Sequence, residues 1–239
     1  MTPQLNEIWV YLSASPLLGL TVTLLAYQAA FWLYRRSGMN PLANPVLIAV
    51  TILVLLLMLT ATSYETYFAG AQFVHFLLGP ATVALAIPLY TQFRRVRSML
   101  LPVVAGLVAG SLTAALSAIA IARLFGASLP TQLSLAPKSV TTPIAMGIAE
   151  RIGGIPSLTA VLVIVTGILG AVGARYIFDA MKLRDPAIRG FAIGVASHGI
   201  GTARAFQVSE QAGAFAALAM GLNGALTALL LPLVLGWMR

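Results

Sequence analysis

The sequence predicts an all-α integral membrane protein with about seven crossing helices and one re-entrant segment. Three observations support this fold class. Of the 239 residues, 59% are hydrophobic and only 8% are charged, whereas soluble domains carry roughly 25% charged residues. The apolar residues fall in runs near the length of about 20 that crosses a bilayer. The basic residues cluster at the ends of these runs, as on the cytoplasmic flanks of membrane helices.

Seven apolar runs are predicted to cross the membrane as helices. In chain order they are residues 16–34, 46–62, 72–93, 102–124, 156–178, 187–208 and 213–238. Residues 1–14 are mildly amphipathic, and we expect them at the bilayer interface. No signal peptide is expected, because these first residues lack a basic region and a small-residue cleavage site.

The segment Leu135–Arg151 decides the predicted topology. If it crossed, the basic segment 175–189 would lie opposite Arg35–Arg36 and Arg94–Arg97, against the positive-inside rule. If it enters and leaves on one side, all three basic clusters are cytoplasmic, the N-terminus is outside and Arg239 is inside. We therefore predict that this segment is re-entrant.

This topology makes two parts of a single membrane domain, residues 1–239, run in opposite directions. Residues 46–124 and 156–238 each contain three predicted crossings, and in both the middle crossing is interrupted. Inverted repeats whose discontinuous helices meet near the midplane are typical of secondary transporters. The pattern therefore predicts two inverted repeats joined by the re-entrant linker 135–151.

The re-entrant segment carries the first candidate site. Lys138 lies between two prolines and close to Ser139, Thr141 and Thr142. Prolines and a charge disfavour an ordinary spanning helix, and such groups persist at membrane depth only where protein buries them or a wet cavity exposes them. This pattern favours a site for a small anion. The alternative is a loop at the membrane surface.

The run 187–208 carries the second candidate site, formed by Ser197, His198, Gly199, Gly201, Thr202 and Arg204. The two glycines favour an unwound break, after which Thr202 caps the helix that resumes. The N-terminus of that helix and Arg204 suit a carboxylate, and His198 is able to carry a proton. The alternative is a glycine-rich helix in which Arg204 snorkels and His198 is merely hydrogen-bonded.

Two further positions complete the predicted site. Gly79, Pro80 and Thr82 predict a second broken helix whose new N-terminus faces the first from the opposite direction. The alternative there is a simple proline kink. Asn223 lies between glycines in the last crossing, where interhelical hydrogen bonding is favoured over contact with a substrate.

Composition excludes several other chemistries. The chain has no cysteine, which rules out disulfides and thiolate catalysis, and its two histidines and six carboxylates are too dispersed for a dense metal site. We expect no cofactor. We also expect no enzymatic activity, because the adjacent Ser197 and His198 point to different faces of a helix.

Four stretches of the chain resemble the LrgB/CidB family. They are LLGPATVALAIPLY, LAPKSVTTPIAMGIAERIGGIPSLTAV, ASHGIGTARAF and AGAFAALAMGLNGALTALLLPL, in order over residues 40–237. The motif positions are Gly79, Pro80, Lys138, Ser139, Thr141, Thr142, Pro143, His198, Gly199, Gly201, Thr202, Arg204 and Asn223. The resemblance implies a bacterial inner-membrane protein with a small LrgA/CidA-like membrane partner. It also implies the crossed, discontinuous helices of the cation:proton antiporter and bile-acid symporter superfamily.

The resemblance implies two functions that the sequence leaves open. Plastid relatives exchange glycolate and glycerate and bacterial relatives are linked to pyruvate uptake, which predicts a proton-coupled or exchanging transporter of small monocarboxylates. In that case Lys138 and Arg204 hold the carboxylate, while Ser139, Thr141, Thr142 and Asn223 meet other oxygens. The alternative is an antiholin-like regulator of murein hydrolase export and lysis, without transport of its own.

Overall fold

A computed structural model describes residues 16–235, and every regular element within that range is helical. The all-α prediction is therefore confirmed for this part of the chain. The chain divides into two compact units, Met1–Ala84 and Leu85–Arg239. The prediction for residues 1–14 lies outside the described residues.

The first unit is built around helix α1, Pro16–Arg36. It continues with a short 3₁₀ turn and three further helices: Pro41–Ala43, then α2 (Pro45–Leu59), α3 (Tyr64–Phe76) and α4 (Leu78–Ala84). Helices α1 and α3 approach closely at Gly19, where an added methyl group would lie 2.5 Å from the carbonyl oxygen of Tyr67. One turn further, Thr23 Oγ1 and the Tyr67 hydroxyl form a 2.7 Å hydrogen bond.

The second unit contains eight described helices. They are α5 (Ala86–Thr91), α6 (Phe93–Ser98), α7 (Leu100–Leu124), α8 (Leu129–Leu135), α9 (Thr142–Ile152), α10 (Pro156–Ala180), α11 (Pro186–Val208) and α12 (Glu210–Leu235). Proline stands in the first turn of α8, α9, α10 and α11. It is well tolerated there, because the first amide groups of a helix have no intrahelical partner.

Within residues 16–235, four helices are long and apolar enough to cross a membrane: α1, α7, α10 and α12. They coincide with the predicted runs that begin at residues 16, 102, 156 and 213. Helix α2 has only 15 residues. The predicted run 72–93 is divided among α3, α4 and α5 and reaches the first residue of α6, with interruptions at Leu77, Leu85 and Gln92. A multi-pass membrane fold follows, but the count of seven crossings is not confirmed.

Residues 129–155 fold into a closed helical hairpin, here called hairpin 1. Its first arm contributes Leu133 and Ala136 to a buried cluster, its tip contributes Val140, and its second arm contributes Ala145, Ile148 and Ile152. Its ends meet where the amide of Ile155 donates a 2.7 Å hydrogen bond to Ser134 Oγ. The two ends therefore lie side by side, with residues 137–142 at the tip. The re-entrant interpretation of 135–151 stays a prediction, which this closure supports.

Helix α11 also folds back on itself, forming hairpin 2. Its backbone leaves helical geometry at Ser197 and His198, where φ is −128° and 41°. A methyl group added at Gly201 would lie 2.9 Å from the carbonyl oxygen of Ile193, although eight residues of straight helix span about 12 Å. Ile193 and Ala205 accordingly share one buried cluster. The second arm, residues 199–208, returns beside the first arm, residues 186–196.

This fold-back differs from the straight, interrupted crossing predicted for residues 187–208. Helix α12 follows the first arm of hairpin 2 in the same direction, since a methyl group at Gly190 would overlap Ala212 and one at Gly194 would overlap Ala216. The start of α12 therefore lies beside the start of α11. The reversal takes place at His198, whose positive φ is a conformation that a continuous helix does not contain.

Candidate functional site

Residues 137–142 of hairpin 1 (tip 1) and Ser197–His198 of hairpin 2 (tip 2) meet near Asn223, and together with it they form what is called here the tip cluster. Its Nδ2 donates to the carbonyl oxygen of Ser139 in tip 1 at 3.2 Å and to that of Val195 beside tip 2 at 3.0 Å. Its Oδ1 accepts from Ser111 Oγ of α7 at 2.5 Å and from Thr227 Oγ1 at 3.2 Å. Asn223 is only 1% exposed, and both its amide protons are used. The predicted interhelical hydrogen bonding is present in this geometry.

This meeting point lies at the middle of two long helices. Asn223 is the fourteenth of the 26 residues of α12. On the other side of tip 2, Gly167 and Gly170 are the twelfth and fifteenth of the 25 residues of α10. A methyl group at Gly167 would lie 2.7 Å from His198 Cε1, and one at Gly170 would overlap Ser197 Oγ. Glycine at these two positions lets tip 2 press directly against the α10 backbone.

Tip 1 carries the charge of the site. Lys138 is half-buried and its Nζ lies 3.4 Å from Ser139 Oγ. Among the described residues no carboxylate forms an ion pair with Lys138. Thr141 occupies the N-cap position of α9 without a side-chain capping hydrogen bond, and Thr142 begins that helix. The first amides of α9 therefore remain donors beside a lysine, a combination that attracts anions.

Tip 2 holds a buried histidine. His198 is 4% exposed, and its Nε2 lies 2.9 Å from the carbonyl oxygen of Val163. Because a carbonyl oxygen only accepts, the proton of this hydrogen bond belongs to Nε2. The neighbouring Ser197 is also buried, and its Oγ faces Gly170. The two side chains are thus both held against α10, and not on different helix faces as expected from the sequence, because the backbone at Ser197 and His198 is not helical.

The break at tip 2 falls before the glycines and not at them. Thr202 does not cap the resumed helix as predicted, because its Oγ1 donates to the His198 carbonyl oxygen four residues earlier, at 2.8 Å. Thr202 therefore lies inside the second arm. Gly199 and Gly201 follow the break within that arm, and Gly201 is buried against Ile193.

Arg204 lies near the ends of hairpin 2, and the Gly79 motif belongs to the first unit. Arg204 lines a cavity with other arginines near the ends of hairpin 2, and its Nη1 donates to Gln207 Oε1 at 3.2 Å. Gly79, Pro80 and Thr82 lie inside α4 of the first unit, where the helix is interrupted at Leu77 instead. Proline as the third residue of α4 is compatible with a helical first turn.

Several residues of the tip cluster were not singled out from the sequence. Ser111 is one of several small residues in the run 102–124, and its hydroxyl donates a hydrogen bond to Asn223. Val163 takes part only through its carbonyl group, for which no sequence signal exists. The available sequence signal for Gly167 and Gly170 is their spacing, since α10 has a glycine at every third position from 167 to 173. No group of three potential metal-ligating side chains occurs within residues 16–235.

Comparison with known proteins agrees with this architecture of membrane helices. The sequence model of the LrgB-like family matches residues 23–237. The Bacillus subtilis (strain 168) proteins YxaC and YwbG are similar, at 36% and 35% identity over 89% and 93% of this chain and 92% and 98% of theirs. An antiholin-like protein LrgB of Bacillus cereus (strain B4264) is 30% identical over 92% of this chain and 95% of its own length.

No solved structure matches the chain. The family match covers most of the sequence, and the relatives align over nearly their full lengths. Together with the four long apolar helices found within residues 16–235, this identifies a multi-pass membrane protein. The chain belongs to the LrgB-like family.

Proposed function

We propose that this protein transports a small organic anion of the monocarboxylate class through a site at the two hairpin tips. The observation that carries the proposal is the pair of hydrogen bonds from Asn223 Nδ2 to the carbonyl oxygens of Ser139 and Val195. These bonds join two broken-helix tips halfway along α12. Non-helical backbone at membrane depth is tolerated where protein or a wet cavity surrounds it, and transporters build their binding sites from it.

The hairpins enter the membrane from opposite sides in this proposal. Hairpin 1 closes at the start of α10, where Thr159 Oγ1 donates to the Ser134 carbonyl oxygen at 3.1 Å. Hairpin 2 begins after the end of α10, at Asp185. Because α10 has 25 residues and crosses between them, their tips approach the midplane from the two faces. This arrangement supports an inverted repeat of hairpin and spanning helix.

The cytoplasmic face is the one that holds the base of hairpin 2. Arg95 of α6 forms a 2.6 Å ion pair with Asp185, so the basic cluster 94–97 lies beside the basic loop after α10. Both clusters on one face satisfy the positive-inside rule. The base of hairpin 1 is then external, and we propose the bacterial inner membrane as the location.

The chemistry of the tips favours an anion over a cation. Lys138 supplies a positive charge, and the N-termini of α9 and of the second arm of hairpin 2 start at the tips. Helix N-termini and a lysine stabilise a carboxylate. Ser139 and Thr142 offer hydroxyl groups for the hydroxyl or keto oxygen of pyruvate, glycolate or glycerate. His198 is the group in this cluster suited to carry a proton with the substrate.

The names of relatives favour a second function more directly than they favour transport. A protein 30% identical to this chain is named an antiholin-like protein. In this second function the chain regulates murein hydrolase export or lysis without moving a solute. An LrgA/CidA-like membrane protein is the proposed partner in both cases, and no enzymatic activity is proposed in either.

Reconstitution of the full chain separates the two functions. Uptake of labelled pyruvate and glycolate is measured in proteoliposomes containing the chain alone and the chain with an LrgA-type protein. The transport function expects saturable uptake that Lys138→Gln abolishes, because the substrate loses its cationic partner. The matched control is Lys182→Gln, which alters an exposed lysine in the loop after α10 and leaves uptake intact.

Folding of each variant is checked by its circular dichroism and its monodispersity in detergent. If Lys138→Gln does not affect uptake, the proposal that the substrate binds at the hairpin tips is wrong. Absence of uptake under every pairing, combined with an altered lysis rate in cells that lack the chain, would establish the antiholin-like function instead.

A further inference from the structure

A second cationic region lies apart from the tips, at the base of hairpin 2. Four arginines line one cavity of about 280 Å³: Arg175, Arg184, Arg189 and Arg204. Arg175 belongs to α10, Arg184 to the following loop, and Arg189 and Arg204 to the two arms of α11. The fold-back of α11 alone brings the last two together, because a straight helix would separate them by about 22 Å.

Asp179 and Asp185 lie near the arginines of this cavity. Asp179 pairs with Arg189 and lies 3.8 Å from Arg175. Asp185 is engaged by Arg95 and by its capping bond from the Ala187 amide. Four guanidinium groups and no carboxylate are found among the described residues that line the cavity, so positive charge predominates in this lining.

Two of the arginines, Arg189 and Arg204, are held by neighbouring groups. Arg189 Nε donates to the Leu183 carbonyl oxygen at 2.5 Å, and its guanidinium lies 5.7 Å from the centre of the Phe178 ring. Arg204 bonds Gln207. Positioned guanidinium forks suit oxyanions with several acceptor oxygens, above all phosphate groups.

Apolar walls adjoin the arginines. Ala174, Ile193, Ala205 and Ala212 line the cavity and belong to the same buried cluster. We propose that this cavity binds a phosphate-bearing anion, either the head group of an anionic phospholipid or a soluble phosphate compound. Basic pockets between helices on the cytoplasmic side are the usual sites for anionic lipid head groups.

Such a ligand would contact α10, both arms of hairpin 2 and the start of α12 at once. It would hold the ends of hairpin 2 together while the tip remains at the distant Asn223 cluster. The site is therefore separate from the proposed transport site, and its test does not depend on uptake.

Binding is measured with two probes on the purified, delipidated full chain. Retention of phosphatidylglycerol is measured by native mass spectrometry from mixed micelles. Binding of inorganic pyrophosphate is measured by calorimetry in nanodiscs of phosphatidylcholine alone. We expect one probe to bind, and the double variant Arg184→Gln with Arg204→Gln to weaken that binding about tenfold or more.

Two matched variants sharpen the result. Arg184→Lys with Arg204→Lys keeps the charge but removes the forks, and we expect intermediate binding. Arg123→Gln with Arg151→Gln removes two exposed arginines elsewhere in the same unit, and we expect unchanged binding. Lipid retention identifies a head-group site, and pyrophosphate binding identifies a soluble ligand. The proposal is overturned if neither probe binds. It is also overturned if the control variant Arg123→Gln with Arg151→Gln weakens binding as much as Arg184→Gln with Arg204→Gln does.

Discussion

Gly170 of α10 lies so close to Ser197 that a methyl group at position 170 would overlap the serine Oγ. Ser197 is one of the two residues at which α11 leaves helical geometry. The absence of a side chain on α10 thus accommodates the turn of hairpin 2 at the middle of the spanning helix.

Replacing Gly170 by alanine is expected to destabilise the protein by about 1–3 kcal/mol, because the tip must move away from α10. Chemical unfolding in detergent micelles, followed by circular dichroism, measures the change. Gly173→Ala is the matched control on the same helix, since nothing lies within 4 Å of the added methyl group. The control should be neutral or stabilising by up to about 1 kcal/mol. Equal destabilisation by both substitutions would contradict the contact.

Asn223→Leu is expected to loosen both tips together. It keeps a similar volume but leaves the carbonyl oxygens of Ser139 and Val195 without their donor, at a cost of about 1–3 kcal/mol. Hydrogen exchange should then rise in both 137–142 and 193–198. Ser111→Ala serves as the control, because Thr227 still donates to Asn223 Oδ1 and the loss should be near 0.6 kcal/mol. Faster hydrogen exchange in one tip alone would contradict the conclusion that Asn223 holds both tips.

The reversal of α11 predicts a cross-link that a straight helix forbids. The chain has no cysteine, so the pair Ile193→Cys and Ala205→Cys is unique. A short bifunctional thiol reagent should join these residues, which share a buried cluster but would lie about 18 Å apart along a straight helix. The pair Val161→Cys and Gly173→Cys has the same spacing on α10 and should remain unlinked. Mass spectrometry of digests reads out both pairs.

The direction of α12 gives a prediction about sidedness. Because hairpin 2 returns to the face it left, a cysteine appended after Arg239 should label from outside the cell, as should Ser157→Cys. Lys182→Cys at the base of hairpin 2 should label only after permeabilisation. An impermeant thiol reagent measures each variant in whole cells. If the appended cysteine is labelled only after permeabilisation, as Lys182→Cys is, then residues 187–208 cross the membrane as the sequence predicts and the fold-back is wrong.

The site was partly accessible from the sequence. Charged and polar groups beside prolines and glycines are unusual in apolar runs. This local signal singles out Lys138, Ser139, His198 and Asn223. Their partners were not accessible, because the Val163 and Val195 groups that take part are backbone carbonyls. A straight helix predicts Arg204 at the tip, whereas the fold-back places it among the arginines at the base.

The sequence by itself determined the membrane class, the positions of α1, α7, α10 and α12, and the regions where helices are interrupted. These properties depend on runs of about 20 apolar residues and on the charges and prolines between them, which act locally. Only the tertiary structure decided what the chain does after Ser197. The backbone there turns back because Gly167 and Gly170 admit the tip against α10 and because α12 packs along the first arm. Packing between residues far apart in sequence leaves no pattern in the local sequence from which the direction of the chain after Ser197 could be predicted.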